Sequence, residues 1–332
     1  MSASTFHVER TAIYDPAWRA AAPPLEQRGY GFPSLTSTVP KELVHRAAVA
    51  EVLLTDWQRT GETRFAVSAQ WPRSHSFFTP VAGGYYDPLI CTETIRQIGS
   101  LLAHAEFGVP FGHQFLWWDA GLSIEPEHLR VDQTPAALDI DVTCLEIKRR
   151  AGGLAWLRYE AVVHRGGHRV ATGRMSYACI SPAVYRRVRP AHTLAADYSP
   201  LPLTAPAAPQ SVGRLSPTDV VLSPLSEPNR WQLRVDTNHA ALFDHPVDHV
   251  PGMLLLEAAR QASAAALGRS SFLPLSITAD FKRYAELDMP CMIEAERLYP
   301  DAPEAQDAVH VTGHQDGELV FSSTVTAASY TG

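Results

Sequence analysis

Residues 253–267 read MLLLEAARQASAAAL, and Glu257, Arg260 and Gln261 are the only side chains in this run that carry a charge or an amide. Leucine and alanine favour a helix. A helix lying on a surface needs one polar face, whereas this one is apolar on most sides and must be wrapped by other structure. Glu257 and Arg260 stand three residues apart on one face, with Gln261 beside them. Charges turned towards a helix–sheet interior cost several kcal/mol unless they are paired. They therefore either brace the interior or line a pocket, and both readings stand at this point.

The same motif occurs earlier. Glu93-x-x-Arg96-Gln97 returns as Glu257-x-x-Arg260-Gln261, 164 residues later. Asp87 is placed to cap a helix opening at Pro88, and Gly108 follows its end, so a helix is expected over roughly 88–105. Ahead of it, HRAAVAEVLLTDWQ (45–58) and TRFAVSAQWPR (63–73) read as two strands joined by a tight turn. After it come four strand-like runs, at 113–124, 138–150, 153–165 and 168–180, the last two joined through Gly166-Gly167. The second half repeats the order. TDVVLSPL and RWQLRVDTNH form a hairpin, HVPGMLLLEAARQASAAALG the helix, and runs at 271–284, 289–299, 307–317 and 318–329 four further strands.

These elements specify a duplicated α+β fold, the double hotdog: two long central helices, each wrapped by a curved antiparallel sheet. One half alone leaves a sheet edge open, and pairing the halves closes it, so the chain is a built-in pseudo-dimer. The expected organisation is an irregular lead-in over 1–37, an N-terminal hotdog domain at 38–182, a linker or crossing segment at 183–214 rich in Ala, Pro, Leu and Ser, and a C-terminal hotdog domain at 215–330.

Composition bounds the function. The chain has 332 residues, 45% hydrophobic and 19% charged, which is enough for two ordinary cores. Its net charge of −7 argues against unspecific nucleic-acid binding. Four dispersed cysteines, Cys91, Cys144, Cys179 and Cys291, form no CxxC pair and suggest neither a zinc site nor a disulfide framework. The opening MSASTFHVERTAIYDP lacks a secretory pattern, and no run is apolar enough to span a membrane, so a cytoplasmic location is expected. No Gly-rich nucleotide loop, GxSxG or HExxH is present.

Chemistry is expected from a few groups. A carboxylate in a partly dry pocket acts as general base or acid, and an arginine beside it holds phosphate or steadies a developing oxyanion. Glu93, Arg96 and Gln97 in the first half, and Glu257, Arg260 and Gln261 in the second, carry these types. Histidines cluster before each helix, at His75 and at His239, His245 and His249. His245, between Asp244 and Pro246, is the preferred member. His113 opens the strand after the first helix, and Lys282 and Arg283 occupy a comparable strand in the second half. Strand alternation lets only one of those two face a given pocket.

The runs HSFFTPVAGGYYDPLICTETIRQIGSLLAHAEFGVPFGHQFLWWD (75–119) and FDHPVDHVPGMLLLEAARQA (243–262) together resemble the A-factor biosynthesis family of tandem hotdog proteins, over roughly residues 38–330. The resemblance implies transfer of a 3-oxoacyl group from acyl carrier protein to the hydroxyl of dihydroxyacetone phosphate, in the synthesis of gamma-butyrolactone-type signals that control antibiotic production. It implies catalytic roles for Glu257, Arg260 and Glu93, and no redox cofactor, ATP or metal; the positions of Arg96, Gln97, Gln261, His245, His113, Lys282 and Arg283 make them the expected substrate contacts. Neither a nucleic acid nor a membrane is an expected partner, and further homodimerisation stays open. The second run also resembles hotdog dehydratases, but the position matching their catalytic histidine is Phe243, with His245 two residues later and His239 four earlier. A hotdog thioesterase or dehydratase, and a non-catalytic acyl- or lactone-binding regulator, are the competing readings.

Overall fold

The computed structural model describes residues 36–189, 200–298 and 306–327, and the fold below is that of the unit Thr38–Gly332. All but the last two residues of the expected lead-in fall outside the described residues, as does the middle of the crossing segment.

The first half runs β1 (Leu54–Arg59), β2 (Arg64–Trp71), α1 (Pro88–Ala105), β3 (Gln114–Ile124), β4 (Ala136–Arg150), β5 (Gly153–Arg165) and β6 (His168–Ile180). A short helix α2 (Pro182–Val188) follows. The second half runs β7 (Leu222–Pro224), β8 (Arg230–Leu233), α3 (Gly252–Ala266), β9 (Pro274–Phe281), β10 (Met292–Leu298), β11 (Asp307–Gln315) and β12 (Glu318–Ala327). The described strands form one antiparallel sheet in the order β1-β2-β4-β5-β6-β3-β9-β12-β11-β10-β8-β7. Read outward from the centre, the two halves list their strands identically. The seam is β3 against β9, with Ala120 opposite Ala279 and Leu122 opposite Ile277. The halves thus close an edge against each other, and neither sheet closes into a barrel.

Each central helix is buried almost all round, as its composition demands. In α1 only Arg96, His104 and Ala105 are not buried, and in α3 only Gly252, Ala265 and Ala266. Asp87 caps α1, its carboxylate accepting from the Leu89 amide at 3.0 Å. The wrapping sheet also bonds to the helix: Tyr159 of β5 donates to the Ile95 carbonyl at 2.6 Å and Tyr177 of β6 to the Gly99 carbonyl at 2.7 Å.

Two expectations need correction. The run 45–58 is strand only from Leu54, and its first part is an irregular segment with a 3-10 turn at Val49–Glu51. A 3-10 turn at Lys41–Val44 precedes it and ends on His45 in the left-handed conformation, φ 53°. Likewise β7 begins only at Leu222, after a 3-10 turn at Pro217–Asp219, and β8 ends at Leu233, where the chain leaves the sheet to reach the helix.

Gly99 is where the sheet comes closest to α1, since a Cβ there would stand 2.6 Å from the Tyr159 hydroxyl and 3.0 Å from the Tyr177 ring. Gly99→Ala is expected to destabilise the fold by about 1–3 kcal/mol through overpacking, read as a lower denaturation midpoint. An unchanged midpoint would show that the two tyrosines are not held against the helix.

Candidate active site

Glu93 lies on α1, 1% exposed, and its carboxylate is gripped from two directions. Arg96, one turn on, donates from Nε and Nη2 at 2.8 Å each. Arg46 donates from Nε at 3.0 Å, with its Nη2 at 2.5 Å. Gln97 adds a third donor at 2.8 Å, while its carbonyl accepts from the Leu53 amide. Arg46 gets there because the left-handed residue before it turns the chain back onto the helix. Its Nη1 also points to the Ala241 carbonyl of the second half, 3.4 Å away.

The second half builds the same cluster. Glu257 accepts from Arg260 at 2.9 and 2.6 Å, from Arg214 at 2.8 and 2.7 Å, and from Gln261. Gln261 accepts from the Val221 amide. Arg214 follows a 3-10 turn ending on left-handed Gly213, φ 68°, and donates to the Phe77 carbonyl of the first half at 2.8 Å. Burial pushes both glutamates up, but the arginines beside them prevail and hold each pKa down to about 2. Both are therefore ionised and weakly basic.

The clusters differ in neighbours and access. Arg214 also faces the buried Asp87 at 3.4 Å, a carboxyl whose pKa burial raises although the Arg214 charge opposes this. The position matching Asp87 is Pro251, and within ion-pair distance the first cluster sets Arg46 and Arg96 against Glu93 alone. Farther off, the Asp244 and Glu51 carboxylates also draw on Arg46. Glu257 and Arg260 are 0% exposed, whereas Arg46 and Arg96 are 8% and 14% exposed.

The first cluster opens onto a cavity. Arg46 lines a space of about 620 Å³ with His45, His113, His245, His249 and Tyr185. An adjoining slot of about 210 Å³ is walled by Phe115, Trp117, Leu255 and Phe281, with Lys282 and Arg283 at its rim. His249 belongs to both. Gly252, at the start of α3, makes the slot narrow but open, since a Cβ there would meet the Trp117 ring at 2.6 Å.

The residues singled out in the sequence separate accordingly. Arg96, Gln97 and Glu93 sit together behind the larger cavity, which His113 and His245 line. Glu257, Arg260 and Gln261 form the closed mirror cluster and line neither of these two cavities. Lys282 and Arg283 both face the slot, against the alternation expected, because β9 has ended at Phe281 and both amides turn to the Val320 carbonyl. His75, buried, and His239, half-buried, are braces rather than cavity groups. In each, Nδ1 accepts two backbone amides, and Nε2 approaches Glu51 at 3.3 Å or Asp219 at 3.4 Å. Asp244 is the partner of His245 that adjacency suggested, and it serves the backbone as well. It accepts from the Ala47 and Ala48 amides, and its Oδ2 stands 3.6 Å from His245 Nδ1. Arg46, Arg214, Tyr185 and Asp248 were missed. The signal for the two arginines was a second repeat, Val44-His45-Arg46 against Val212-Gly213-Arg214.

Comparison with known proteins agrees with this architecture. The family model described as an A-factor biosynthesis hotdog domain matches twice, over residues 31–181 and 196–331. The chain belongs to the A-factor biosynthesis hotdog family. It is 57% identical over 291 residues to 2-oxo-3-(phosphooxy)propyl 3-oxoalkanoate synthase of Streptomyces virginiae, covering 88% of this chain and 98% of that one. The protein of that name from Streptomyces coelicolor is 42% identical, covering 89% and 93%. Among solved structures, one described as an oleoyl thioesterase from Lactobacillus plantarum aligns with TM-score 0.52 at 11% identity, covering 80% of this chain and 97% of that one, a likeness of fold alone. No helix among the described residues is long and apolar enough to cross a membrane.

Two consequences for stability follow from the clusters of this family member. Ionised Glu93 and Glu257 stabilise the fold fully above the ordinary value of 4.5, and that stability is lost as pH falls towards about 2. Denaturation midpoints measured down this range should drop steeply, and a flat profile would contradict the pairing. Arg214→Ala, which strands a closed-off carboxylate, should cost about 3–5 kcal/mol. Arg46→Ala should cost less, because the cavity lets water reach Glu93. Equal losses in chemical denaturation would contradict the asymmetry.

Proposed function

We propose that the chain transfers a 3-oxoacyl group from an acyl carrier protein thioester to the hydroxyl of dihydroxyacetone phosphate. The products are 2-oxo-3-(phosphooxy)propyl 3-oxoalkanoate and the free carrier thiol. The observation that carries this reading is the arginine pair on Glu93, of which Arg46 opens onto the His-lined cavity directly beside an apolar slot. A phosphorylated acceptor needs the first and an acyl tail the second.

The hydroxyl oxygen attacks the thioester carbonyl, the C–S bond breaks, and the hydroxyl proton ends on the departing sulfur. Electrons and atoms balance without an oxidant or a nucleotide, since the thioester is already activated. In this reading Arg46 and Arg96 supply the field that holds the phosphate, with His45, His113 and His245 around it. Glu93, with its low pKa, orients the two arginines rather than taking the proton. Lys282 and Arg283 receive the phosphate of the carrier's pantetheine arm at the slot's rim, and Phe115, Trp117 and Leu255 flank the 3-oxoacyl chain. Glu257, Arg260 and Gln261 fix the second helix in the mirrored position. The enzyme is expected to work in the cytoplasm, where acyl carrier thioesters are made.

The test mixes the full chain with a 3-oxoacyl carrier thioester and dihydroxyacetone phosphate, and follows products by mass spectrometry. A phosphorylated ester is expected, and release of free 3-oxo acid alone, whatever the tail, overturns the reading. Arg46→Ala should raise KM for the phosphorylated acceptor about ten- to hundredfold with a smaller change in KM for the thioester. Glu257→Gln and Arg260→Ala should lower stability before they alter either KM.

A further inference from the structure

The transfer described above needs a group that accepts the hydroxyl proton, and the two cavities meet at a histidine equipped for it. His249 Nδ1 lies 2.8 Å from Asp248 Oδ1. Asp248 is itself held: Tyr185 donates to both of its oxygens at 2.7 and 2.8 Å, and Arg189 Nη1 stands 3.3 Å away. Burial would raise the Asp248 pKa, but the bonds from His249 and Tyr185 and the charge of Arg189 keep it below the ordinary carboxylate value. An ionised Asp248 can only accept, so Nδ1 carries the hydrogen and Nε2 presents its lone pair. Nε2 has no hydrogen bond to another described residue. The ring packs edge-on to Tyr284, centroids 4.9 Å apart, and Tyr284 in turn lies under the Arg189 guanidinium at 4.0 Å.

Other histidines of the larger cavity are less suited. His45 Nε2 is set 2.6 Å from His104 Nε2. His245 has Asp244 at 3.6 Å, a longer contact than the 2.8 Å that holds His249, and that carboxylate also serves the Ala47 and Ala48 amides. His113 Nδ1 is buried without a hydrogen-bond partner among the described residues, so nothing fixes its tautomer.

We propose that His249 is the general base of the acyl transfer and that Asp248 is its positioning residue. This rests on the acyl-transfer reading above. His249 Nε2 takes the proton from the acceptor hydroxyl as the oxygen bonds to the thioester carbon. The imidazolium then returns that proton to the sulfur as the C–S bond breaks. The charged or titratable groups facing the ring are Asp248 on its own loop, Tyr185, Arg186 and Arg189 from the α2 segment, and Tyr284 and Glu286 beyond β9. Across the larger cavity lie His45, Arg46, His113 and His245, and Lys282 and Arg283 rim the slot.

The experiment compares wild type, His249→Gln and Asp248→Asn as full chains, with fold checked by circular dichroism and chemical denaturation. His249→Gln should lower kcat about 10²–10⁴-fold with both KM values within about threefold of wild type. Wild-type kcat/KM should fall as pH is lowered and the base is protonated, and this acid limb should vanish in His249→Gln. Asp248→Asn removes the charge that favours imidazolium, so its acid limb should move to lower pH, with a smaller loss in kcat. If the Gln variant fails to fold, His249→Asn takes its place. A folded His249 variant that keeps wild-type kcat, or the wild-type acid limb, overturns the proposal. Should wild type release free acid in place of ester, the acceptor assignment falls. Dependence of that release on His249 would still decide the base.

Discussion

Two buried carboxylates, each clasped by a pair of arginines, hold this molecule together. One arginine of each pair comes from the same helix as the glutamate and the other from the chain ahead of the first hairpin. The arginine from the hairpin side also reaches a backbone carbonyl in the opposite half, Arg46 to Ala241 and Arg214 to Phe77. A hydrophobic contact tolerates sliding, whereas a doubly clasped carboxylate does not, because a lost partner strands a charge in the dry interior. The clasps therefore fix three things together: the rotation of each central helix, the path into each hairpin, and the seating of one half on the other.

The duplication is close but not strict, and its departures bear on function. Where the first half caps its helix with Asp87, the second has Pro251. A cap chosen for local helix geometry also stands 3.4 Å from Arg214 across the seam, and the Arg46 side has no such capping carboxylate. The Glu257 cluster is closed, whereas the Arg46 cluster borders the cavity, where water or an anion can reach it.

Sequence reading recovered α1 to its ends, because Asp87-Pro88 and Gly108 punctuate it, and found α3 because most of its positions are apolar. It recovered β5 and β6 through the Gly166-Gly167 turn. It also found the glutamates with their intrahelical arginines and glutamines, since residues three and four apart share a helix face. It missed Arg46, which lies in HRAAVAE, a run whose β-branched and apolar content reads as strand. It missed Arg214 because the residues before it have the composition of a linker. Both act through a single left-handed residue, a backbone feature that composition does not carry. Asp248 and Tyr185 escaped for another reason. They are 63 residues apart, and only the tertiary fold brings the α2 segment against the loop before α3.

That segment explains why a fused pair differs from a symmetric dimer. Two identical hotdog subunits must build two identical sites, but a chain that joins them has one connecting segment and places it on one side. Here the connection supplies α2, and with it Tyr185 and Arg189 to Asp248. Counting 164 residues back, Gly84 and Tyr85 stand where the second half has Asp248 and His249. The first half therefore has neither the carboxylate nor the imidazole to repeat the arrangement, and no second linker to hold it. Duplication provided the scaffold twice, while the join provided the means to specialise one side of it.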